Sequence, residues 1–394
     1  MIATGLDRLL AEVSQLGGRK YGVLAHAAAV TQGLRPIHLA LAEAGQPPAV
    51  LFAPEHGFYA VEQDMVPSAD QRDPWSGAPV LSLYGDDVAS LRPSPLAFAG
   101  LDLLVIDLQD VGARYYTFAA TAVWAAEAAL AAGCEVWVLD RPNPLGGAVI
   151  EGNLPEPGFE SFVGAFRIPV RHGLTLCELV RLQALRERWP GQPRYWTMSG
   201  WRRDLLWSEL ERPWIAPSPN MPSFATAVVY PGMCLMEATE FSEGRGTTRP
   251  FLLAGAPGVD AVRLATRLSG RELPGVCFLP TLFKPQFQKH GGEICAGVEL
   301  AVTEPGSVAG YRVGIEVLEA FLEVSPEVFA WRDAPYEFVS DRPAIDLLSG
   351  GSALRAALES RASSNTRDWV ETWRADERAF AVERRDALLY PEHA

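Results

Sequence analysis

The sequence contains little that would support a disulfide framework, a metal site or a membrane span. Its five cysteines are odd in number and far apart, and no CxxC pair or Cys/His ligand spacing occurs. This pattern favours buried structural thiols in a reducing compartment, and we expect neither a metal nor another cofactor. The most apolar segment, residues 117–132, contains Glu127 and is too short and too polar to span a bilayer.

Positive charge is also scarce. The chain has 34 Lys and Arg residues against 48 Asp and Glu residues, which gives a formal net charge of -14. Such an acidic surface repels phosphate backbones, so we expect no nucleic-acid partner. The first ten residues lack the basic patch and apolar run of a signal peptide. We therefore expect a cytoplasmic protein, and a periplasmic or secreted one only if the sequence is a processed form.

Apolar strands and helices alternate along the first half of the chain. Strands are predicted at Tyr21–Ala25, Val50–Ala53, Leu103–Asp107 and Val136–Asp140. Continuous apolar strands separated by helices are typical of a parallel sheet covered on both faces. The pattern changes near residue 255, and 394 residues are enough for two hydrophobic cores. We predict an α/β domain with a mostly parallel sheet over residues 1–255 and a smaller α+β domain over residues 256–394.

Three of these strands end in polar segments. Glu55 follows the second strand, Asp110 lies just beyond the third, and Arg141 lies just beyond the fourth. In open parallel sheets, ligands bind at the carboxyl ends of the strands, so the sequence predicts a site at this edge. The phosphate-binding patterns GxxxxGK[ST] and GxGxxG are absent, and so is the GxSxG pattern of esterases. These absences weaken a nucleotide-binding role and an esterase role.

Two of the strand ends carry candidate chemistry. A carboxyl group just beyond a buried strand, such as that of Glu55, is partly desolvated, which is a common setting for a general acid. The alternative is that Glu55 only caps the following turn. Beyond the third strand, Arg114 is placed to hold a carboxylate, and Tyr115 and Tyr116 offer hydroxyl groups to a polar ligand. The alternative there is an Asp–Arg pair that only locks the loop.

Two later segments are also candidates for ligand binding. Arg245, Thr247 and Arg249 lie in a stretch rich in glycine and hydroxyl groups, which suits a carboxylate or phosphate ligand. A loop with three prolines, residues 217–222, is stiff enough to present Asn220 to a ligand. Alternatively, this loop is only a rigid connector.

Six segments, taken in order, resemble the motifs of the NamZ-like exo-β-N-acetylmuramidase family. They are Pro54–Gly57, Leu108–Thr117, Leu139–Pro144, Pro169–Thr175, Pro217–Pro222 and Ser242–Pro250. The resemblance implies a Rossmann-like N-terminal domain, a smaller C-terminal domain and a cleft between them. It also implies a bacterial exo-acting glycosidase of cell-wall recycling. Such an enzyme releases terminal N-acetylmuramic acid from the non-reducing end of peptidoglycan fragments or muropeptides.

The resemblance also implies roles for individual residues. It points to Glu55 as catalytic, and we expect Asp110 or Glu243 to supply the second carboxyl group. The separation of the two carboxyl groups decides between retention and inversion, and attack by the acetamido group of the substrate is a third route. The lactyl carboxylate of the sugar gives the arginines a bidentate partner. The expected substrate-binding residues are His56, Arg114, Tyr115, Tyr116, Arg141, Asn143, His172, Asn220, Arg245, Thr247 and Arg249.

The chain departs from the family pattern at two places close to the expected pocket. Residues 58–60 read Phe-Tyr-Ala where the family carries a small basic-glycine turn, and residues 25–26 read Ala-His where it tends to carry Thr-Asn. The sequence therefore indicates the catalytic role of Glu55 more firmly than it indicates which sugar is cut. The alternatives are a carbohydrate-binding protein without catalysis and a nucleotide-using enzyme on a similar sheet. The oligomeric state is left open.

Overall fold

The computed structural model describes residues 2–63, 66, 71–85, 87–360 and 363–392. Within these ranges the strands are β1 (Tyr21–Ala25), β2 (Val50–Ala53), β3 (Gln71–Arg72), β4 (Pro79–Ser82), β5 (Leu103–Asp107), β6 (Glu135–Leu139), β7 (Arg194–Trp196), β8 (Leu253–Ala256), β9 (Val276–Phe283) and β10 (Cys295–Val302). The α-helices are α1 (Gly5–Ala11), α2 (Ile37–Glu43), α3 (Phe118–Ala131), α4 (Leu176–Glu187), α5 (Phe224–Met233), α6 (Ala261–Ser269), α7 (Gly310–Val324), α8 (Ala344–Ser349), α9 (Ala353–Glu359) and α10 (Ser363–Glu383).

Seven of the described strands form one sheet, in the order β3-β4-β2-β1-β5-β6-β7. Adjacent strands pair in parallel, except that β3 and β4 form an antiparallel edge. Helices α1 and α2 cover one face and α3 and α4 cover the other, so β1 and β5 are buried along their whole length. Without β3, the strand order is the 3-2-1-4-5-6 order of a Rossmann-like sheet. The predicted α/β class is confirmed, and we call this part the first lobe.

A second lobe is built around three of the described strands, in the antiparallel order β8-β10-β9. Helix α6 packs against this sheet, and α7 packs against both α6 and α5. This smaller unit with an antiparallel sheet agrees with the smaller α+β domain predicted from the sequence. The boundary predicted after residue 255 lies inside β8, whose partner β10 belongs to the second lobe.

Helices α5 and α7 touch through their glycines. A β-carbon added to Gly232 of α5 would lie 2.0 Å from the carbonyl oxygen of Gly310. One added to Gly314 of α7 would lie 2.1 Å from the carbonyl oxygen of Gly232. Only glycine fits at such a crossing, because any side chain would collide with the opposite backbone. The contact fixes the position of α5, and with it Tyr230 and the 3₁₀ turn Cys234–Ala238 that continues the helix.

The segment after α10 folds back onto the first lobe. The Tyr390 hydroxyl donates to Oδ2 of Asp140, just beyond β6, at 2.5 Å. The backbone N–H of Leu389 donates to a carboxylate on α4 at 2.9 Å, and Arg384 donates to two backbone carbonyls of the first lobe. We call residues 384–390 the C-terminal clasp, because these bonds hold the segment against the ends of β6 and α4.

The clasp contacts a carboxyl group whose pKa lies near neutral pH. Burial raises the pKa of the Asp140 carboxyl to about 7, although Tyr390, Cys177 and Thr175 all donate hydrogen bonds to it. In the unfolded chain the pKa of an aspartic acid is about 3.9. Between about pH 4 and 7 the folded protein therefore binds more protons than the unfolded chain, and its stability falls as the pH rises.

We expect Asp140→Asn to remove this part of the pH dependence. Between about pH 5 and 8 the free energy of unfolding of the wild type should fall by roughly 2–3 kcal/mol through this titration, whereas that of the variant should not. Urea denaturation at both pH values measures this fall. The asparagine loses an acceptor for the backbone N–H of Cys177, so the change with pH is informative, whereas the absolute difference is not. A difference between the two proteins that stays constant over this range would contradict titration of Asp140.

Candidate active site

A pocket with an empty volume of about 470 Å³ lies beyond the carboxyl ends of β2 and β5. Glu55 and His56, which follow β2, and Tyr115, Tyr116 and Thr117, which lie between β5 and α3, form one side of it. The second lobe forms the opposite side with Tyr230, Glu237, Arg245, Phe251, Tyr336 and Glu337. The pocket therefore joins an edge of the parallel sheet, where a site was predicted, to a wall from the second lobe.

Glu55 is held at the floor of this pocket. Its side chain is 4% exposed, and the Thr117 hydroxyl donates to Oε2 at 2.7 Å. Because Oε2 acts as an acceptor, a proton on this carboxyl group belongs on Oε1. The arrangement suits a carboxylic acid that presents Oε1 to a ligand.

The residues after Glu55 form a tight turn. His56 and Gly57 both have left-handed backbone angles, with φ of 70° and 79°. Nδ1 of His56 lies 3.1 Å from the carbonyl oxygen of Glu62, so Nδ1 carries the proton in this contact. In the neutral tautomer that makes this bond, Nε2 is the acceptor on the other side of the ring. The turn thus places the acid and the imidazole on the same wall of the pocket.

A second carboxyl group comes from the second lobe. Glu237 is 7% exposed, and Oε1 accepts a hydrogen bond from Nη2 of Arg245 at 2.6 Å. Its other oxygen, Oε2, accepts from the Tyr336 hydroxyl at 2.7 Å. Burial and the neighbouring Glu237 carboxylate raise the pKa of Tyr336, so its hydroxyl keeps its proton and remains a donor. A guanidinium and a hydroxyl donor together suit an ionised carboxylate at Glu237.

Arg245 is shared between two carboxylates. Besides Glu237, it contacts Glu243, whose Oε1 lies 3.3 Å from the Arg245 Nε. Glu243 in turn lies 3.0 Å from the Lys289 ammonium. Among the described residues that line the pocket, Arg245 is the one guanidinium, whereas Glu55, Glu237 and Glu337 are all carboxyl groups. The pocket is therefore acidic, and its cation is held in place by Glu237 and Glu243.

Some residues predicted from the sequence line this pocket. They are Glu55, His56, Tyr115, Tyr116, Asn220 and Arg245. Asn220 lies on the proline-rich loop, and its Nδ2 donates to Oε1 of Gln63 at 3.0 Å. The loop therefore contacts the chain that follows the His56 turn, as well as the pocket.

The structure places other predicted residues outside the described lining. They are Asp110, Arg114, Arg141, Asn143, His172, Glu243, Thr247 and Arg249. Arg114 donates to the backbone carbonyls of Asn153, Ile168 and Leu348, and Arg141 is paired with Asp107 at 2.5 Å. Both arginines therefore hold the backbone around them, Arg141 as an Asp–Arg pair and Arg114 through backbone carbonyls instead of the Asp–Arg pair that the sequence had left open.

The other polar groups of this set are also engaged with the protein itself. Oδ2 of Asp110 accepts from the Gly112 N–H at 2.6 Å and lies 3.4 Å from Nε2 of His172. The side-chain amide of Asn143 donates to a backbone carbonyl and accepts from a backbone N–H. Thr247 donates to a backbone carbonyl, and Arg249 forms a half-exposed ion pair on β10. These groups support the loops that shape the pocket.

Several lining residues were not predicted. They are Val163, Ser218, Met221, Tyr230, Glu237, Phe251, Tyr336 and Glu337. Glu237 carried a usable signal, because it interrupts an apolar run from Met233 to Ala238, and charged residues are seldom buried without a partner. The aromatic residues carried none, since isolated tyrosines and phenylalanines are ordinary core residues.

Neither a metal centre nor a membrane span is found in the described part of the chain. Over those residues, no group of three or more His, Cys, Asp and Glu side chains is arranged to hold a metal ion. No described helix is both long and apolar enough to cross a bilayer.

Two solved structures share this fold. A DUF1343 family protein from Bacteroides fragilis NCTC 9343 superposes with a TM-score of 0.84 at 30% identity, covering 99% of both chains. A second DUF1343 family protein from the same organism superposes with a TM-score of 0.75 at 24% identity, again over 99% of both chains. The second likeness supports the fold alone.

Sequence comparisons identify the family. The N-terminal model described as exo-beta-N-acetylmuramidase NamZ matches residues 21–225, and the C-terminal model of the same name matches residues 228–390. The peptidoglycan beta-N-acetylmuramidase NamZ of Bacillus subtilis (strain 168) is 35% identical over 391 residues, which cover 99% of this chain and 91% of that protein. The resemblance found in the six motifs is confirmed: the chain belongs to the exo-β-N-acetylmuramidase NamZ family.

Proposed function

We propose that this protein is an exo-acting glycoside hydrolase that releases N-acetylmuramic acid from the non-reducing end of peptidoglycan fragments. Family membership supports the reaction and the substrate class. The observation that carries the proposal is the placement of Glu55, a buried carboxyl group at a strand end with one oxygen fixed by Thr117. Its pocket is lined by carboxyl, hydroxyl, guanidinium and aromatic groups, which suit a polar ligand such as a sugar.

Glu55 acts as the general acid in this proposal. A proton on its Oε1 is transferred to the glycosidic oxygen as the bond from that oxygen to the sugar C1 breaks. The departing aglycone leaves as a neutral alcohol, and positive charge develops on C1 and the ring oxygen. The Thr117 hydroxyl keeps Oε2 turned away from the substrate, so the same oxygen always faces the glycosidic bond.

Glu237 is the carboxylate that stabilises this positive charge. It replaces Asp110 and Glu243 in the proposal, because both of those lie outside the described lining whereas Glu237 is part of it. Arg245 and Tyr336 hold Glu237 in one orientation, so its negative charge is already in place when the transition state forms. Water completes the hydrolysis by supplying hydroxide to C1 and a proton to the acid.

The acidity of the pocket has a role in this mechanism. N-acetylmuramic acid brings its own carboxylate next to Glu55, Glu237 and Glu337, and the described lining offers one guanidinium to balance them. Crowded carboxylates favour proton uptake, because like charges at short range cannot all be ionised. A pocket crowded with carboxyl groups is therefore a suitable setting for a general acid, which must carry a proton.

A chromogenic assay on two glycosides tests the proposed function. We expect kcat/KM for the para-nitrophenyl glycoside of N-acetylmuramic acid to exceed that of the N-acetylglucosamine glycoside by about 100-fold, because only the former carries a lactyl carboxylate for Arg245 to contact, and losing a charge-assisted contact costs roughly 1.5–3 kcal/mol. A preference for the glucosamine glycoside would contradict the substrate. Turnover of neither glycoside, with thermal stabilisation by ATP or NAD alone, would favour the nucleotide-using alternative. Stabilisation by N-acetylmuramic acid without turnover would favour the binding-protein alternative.

A further inference from the structure

Residues 336–339 form a tight turn at the wall of the pocket. The backbone N–H of Tyr336 donates to the carbonyl of Val339 at 2.9 Å, and the N–H of Val339 donates back at 2.9 Å. The two central residues, Glu337 and Phe338, have φ of 47° and 65°. Reciprocal bonds around two residues of positive φ are the pattern of a type I′ hairpin turn, which strongly prefers Asn and Gly. Glu and Phe disfavour this conformation, so the turn is strained.

Contacts on both sides hold the strained turn in place. The Tyr336 hydroxyl donates to Oε2 of Glu237 at 2.7 Å. The Phe338 ring packs against Tyr84 of the first lobe, with 6.2 Å between the ring centroids. The residues before and after Glu337 therefore contact different parts of the protein, and the Tyr336 bond ties the turn directly to Glu237 in the pocket wall.

Three unfavourable features coincide at Glu337. Its backbone is strained, its carboxyl group is buried with 7% exposure, and it lines the same pocket as Glu55 and Glu237. Stability alone favours none of these features, since Asn or Gly would relax the turn and any neutral residue would reduce the crowding of carboxylates. Strained residues persist where the surrounding structure holds them for a functional purpose.

We propose that Glu337 binds the sugar in this pocket. Its carboxylate accepts hydrogen bonds from a hydroxyl or acetamido N–H of the terminal sugar and so sets the orientation of that sugar against Glu55. The inference rests on the proposed glycosidase function and adds to it a residue that determines how the sugar is held.

Glu337→Asn tests the proposal, because Asn fits the turn but is too short to keep the carboxylate contact. We expect KM for the muramic acid glycoside to rise about 10- to 100-fold, the loss expected for a hydrogen bond to a charged group. The variant should unfold at the same temperature as the wild type or a higher one, because positive φ suits Asn. A change in kcat of less than about fivefold is expected, since the lost contact exists before the transition state.

Phe338→Asn is the matched control. It relaxes the same turn at a residue outside the described lining, so it should leave KM within about twofold of the wild type even if the lost Tyr84 contact lowers the melting temperature. An unchanged KM in Glu337→Asn would overturn the role of Glu337 and leave the proposed function intact. Equal rises in KM for both variants would mean that the turn matters only structurally.

A binding measurement tests the role of Glu337 even if the proposed function is wrong. Should the wild type cleave no muramic acid glycoside, calorimetry with free N-acetylmuramic acid measures the affinity of the wild type and of Glu337→Asn directly. A drop of about 10-fold or more in the variant supports the contact. Equal affinities, or no binding by either protein, would overturn it.

Discussion

Glu55→Gln is expected to lower kcat on a disaccharide with N-acetylmuramic acid at its non-reducing end by about 10²- to 10⁴-fold. The glutamine keeps the size of the side chain and still accepts the hydrogen bond from Thr117, but it has no acidic proton to give to the glycosidic oxygen. Saccharide binding should therefore change little. Steady-state kinetics and calorimetry on the purified variant measure the two effects separately.

The leaving group provides the internal control for Glu55. Para-nitrophenolate departs with little help from an acid, so the loss in Glu55→Gln should be much smaller on the chromogenic glycoside than on the disaccharide. Thr117→Val, which removes the hydroxyl that fixes Oε2, should cost only about 10-fold because the acid itself remains. If Glu55→Gln cleaves the disaccharide as fast as the wild type, the assignment of Glu55 is wrong.

Arg245→Ala should cause the largest loss of stability among single substitutions at the pocket wall. Two buried carboxylates, Glu237 and Glu243, share this guanidinium. Once it is gone, Lys289 is the one cation that pairs with Glu243 among the described residues. Removing one partner of a buried ion pair typically costs about 3–5 kcal/mol, because the remaining charge is left buried. Urea denaturation at neutral pH measures the loss. Activity should fall as well, since Glu237 loses the donor that orients it.

Arg249→Ala is the matched control in the same polar segment. Its ion pair with Glu299 is half exposed, and exposed pairs contribute only about 0.2–1 kcal/mol. Equal losses for the two arginine variants would contradict the special position of Arg245.

The architecture of the first lobe was readable from the sequence because its strands are buried on both faces. Strands β1, β2 and β5 are short apolar runs bounded by turn residues or polar groups, and the structure shows them at the predicted residues. Helix α5 was not predicted, because Pro231 and Gly232 near its end are typical helix breakers. The glycine is required by the close contact with α7, which is a property of the tertiary structure rather than of the local sequence.

Only part of the site could be predicted from the sequence, and the reason is geometric. The carboxyl ends of parallel strands meet at one edge, so Glu55 and the Tyr115–Thr117 segment could be placed together from the sequence. A polar residue near a strand end serves either a ligand or its own loop. Arg114 could not be classified in this way, because its acceptors lie 39, 54 and 234 residues away along the chain. The place of Glu337 in the pocket could not be predicted either, because Glu337 and Phe338 are residues that disfavour the turn they form.

The C-terminal clasp bears on how the protein is made. Tyr390 reaches Asp140 across 250 residues of chain, so the strand β6 leaves the ribosome long before its partner exists. At translation speeds of about 5–20 residues per second, this gap lasts about 12–50 s. During that time the nascent first lobe carries a carboxyl group with one donor missing and an uncovered edge where the clasp will dock. The first lobe is therefore synthesised early but gains its last contacts only when the clasp is made. Until then its uncovered surface is accessible to a chaperone.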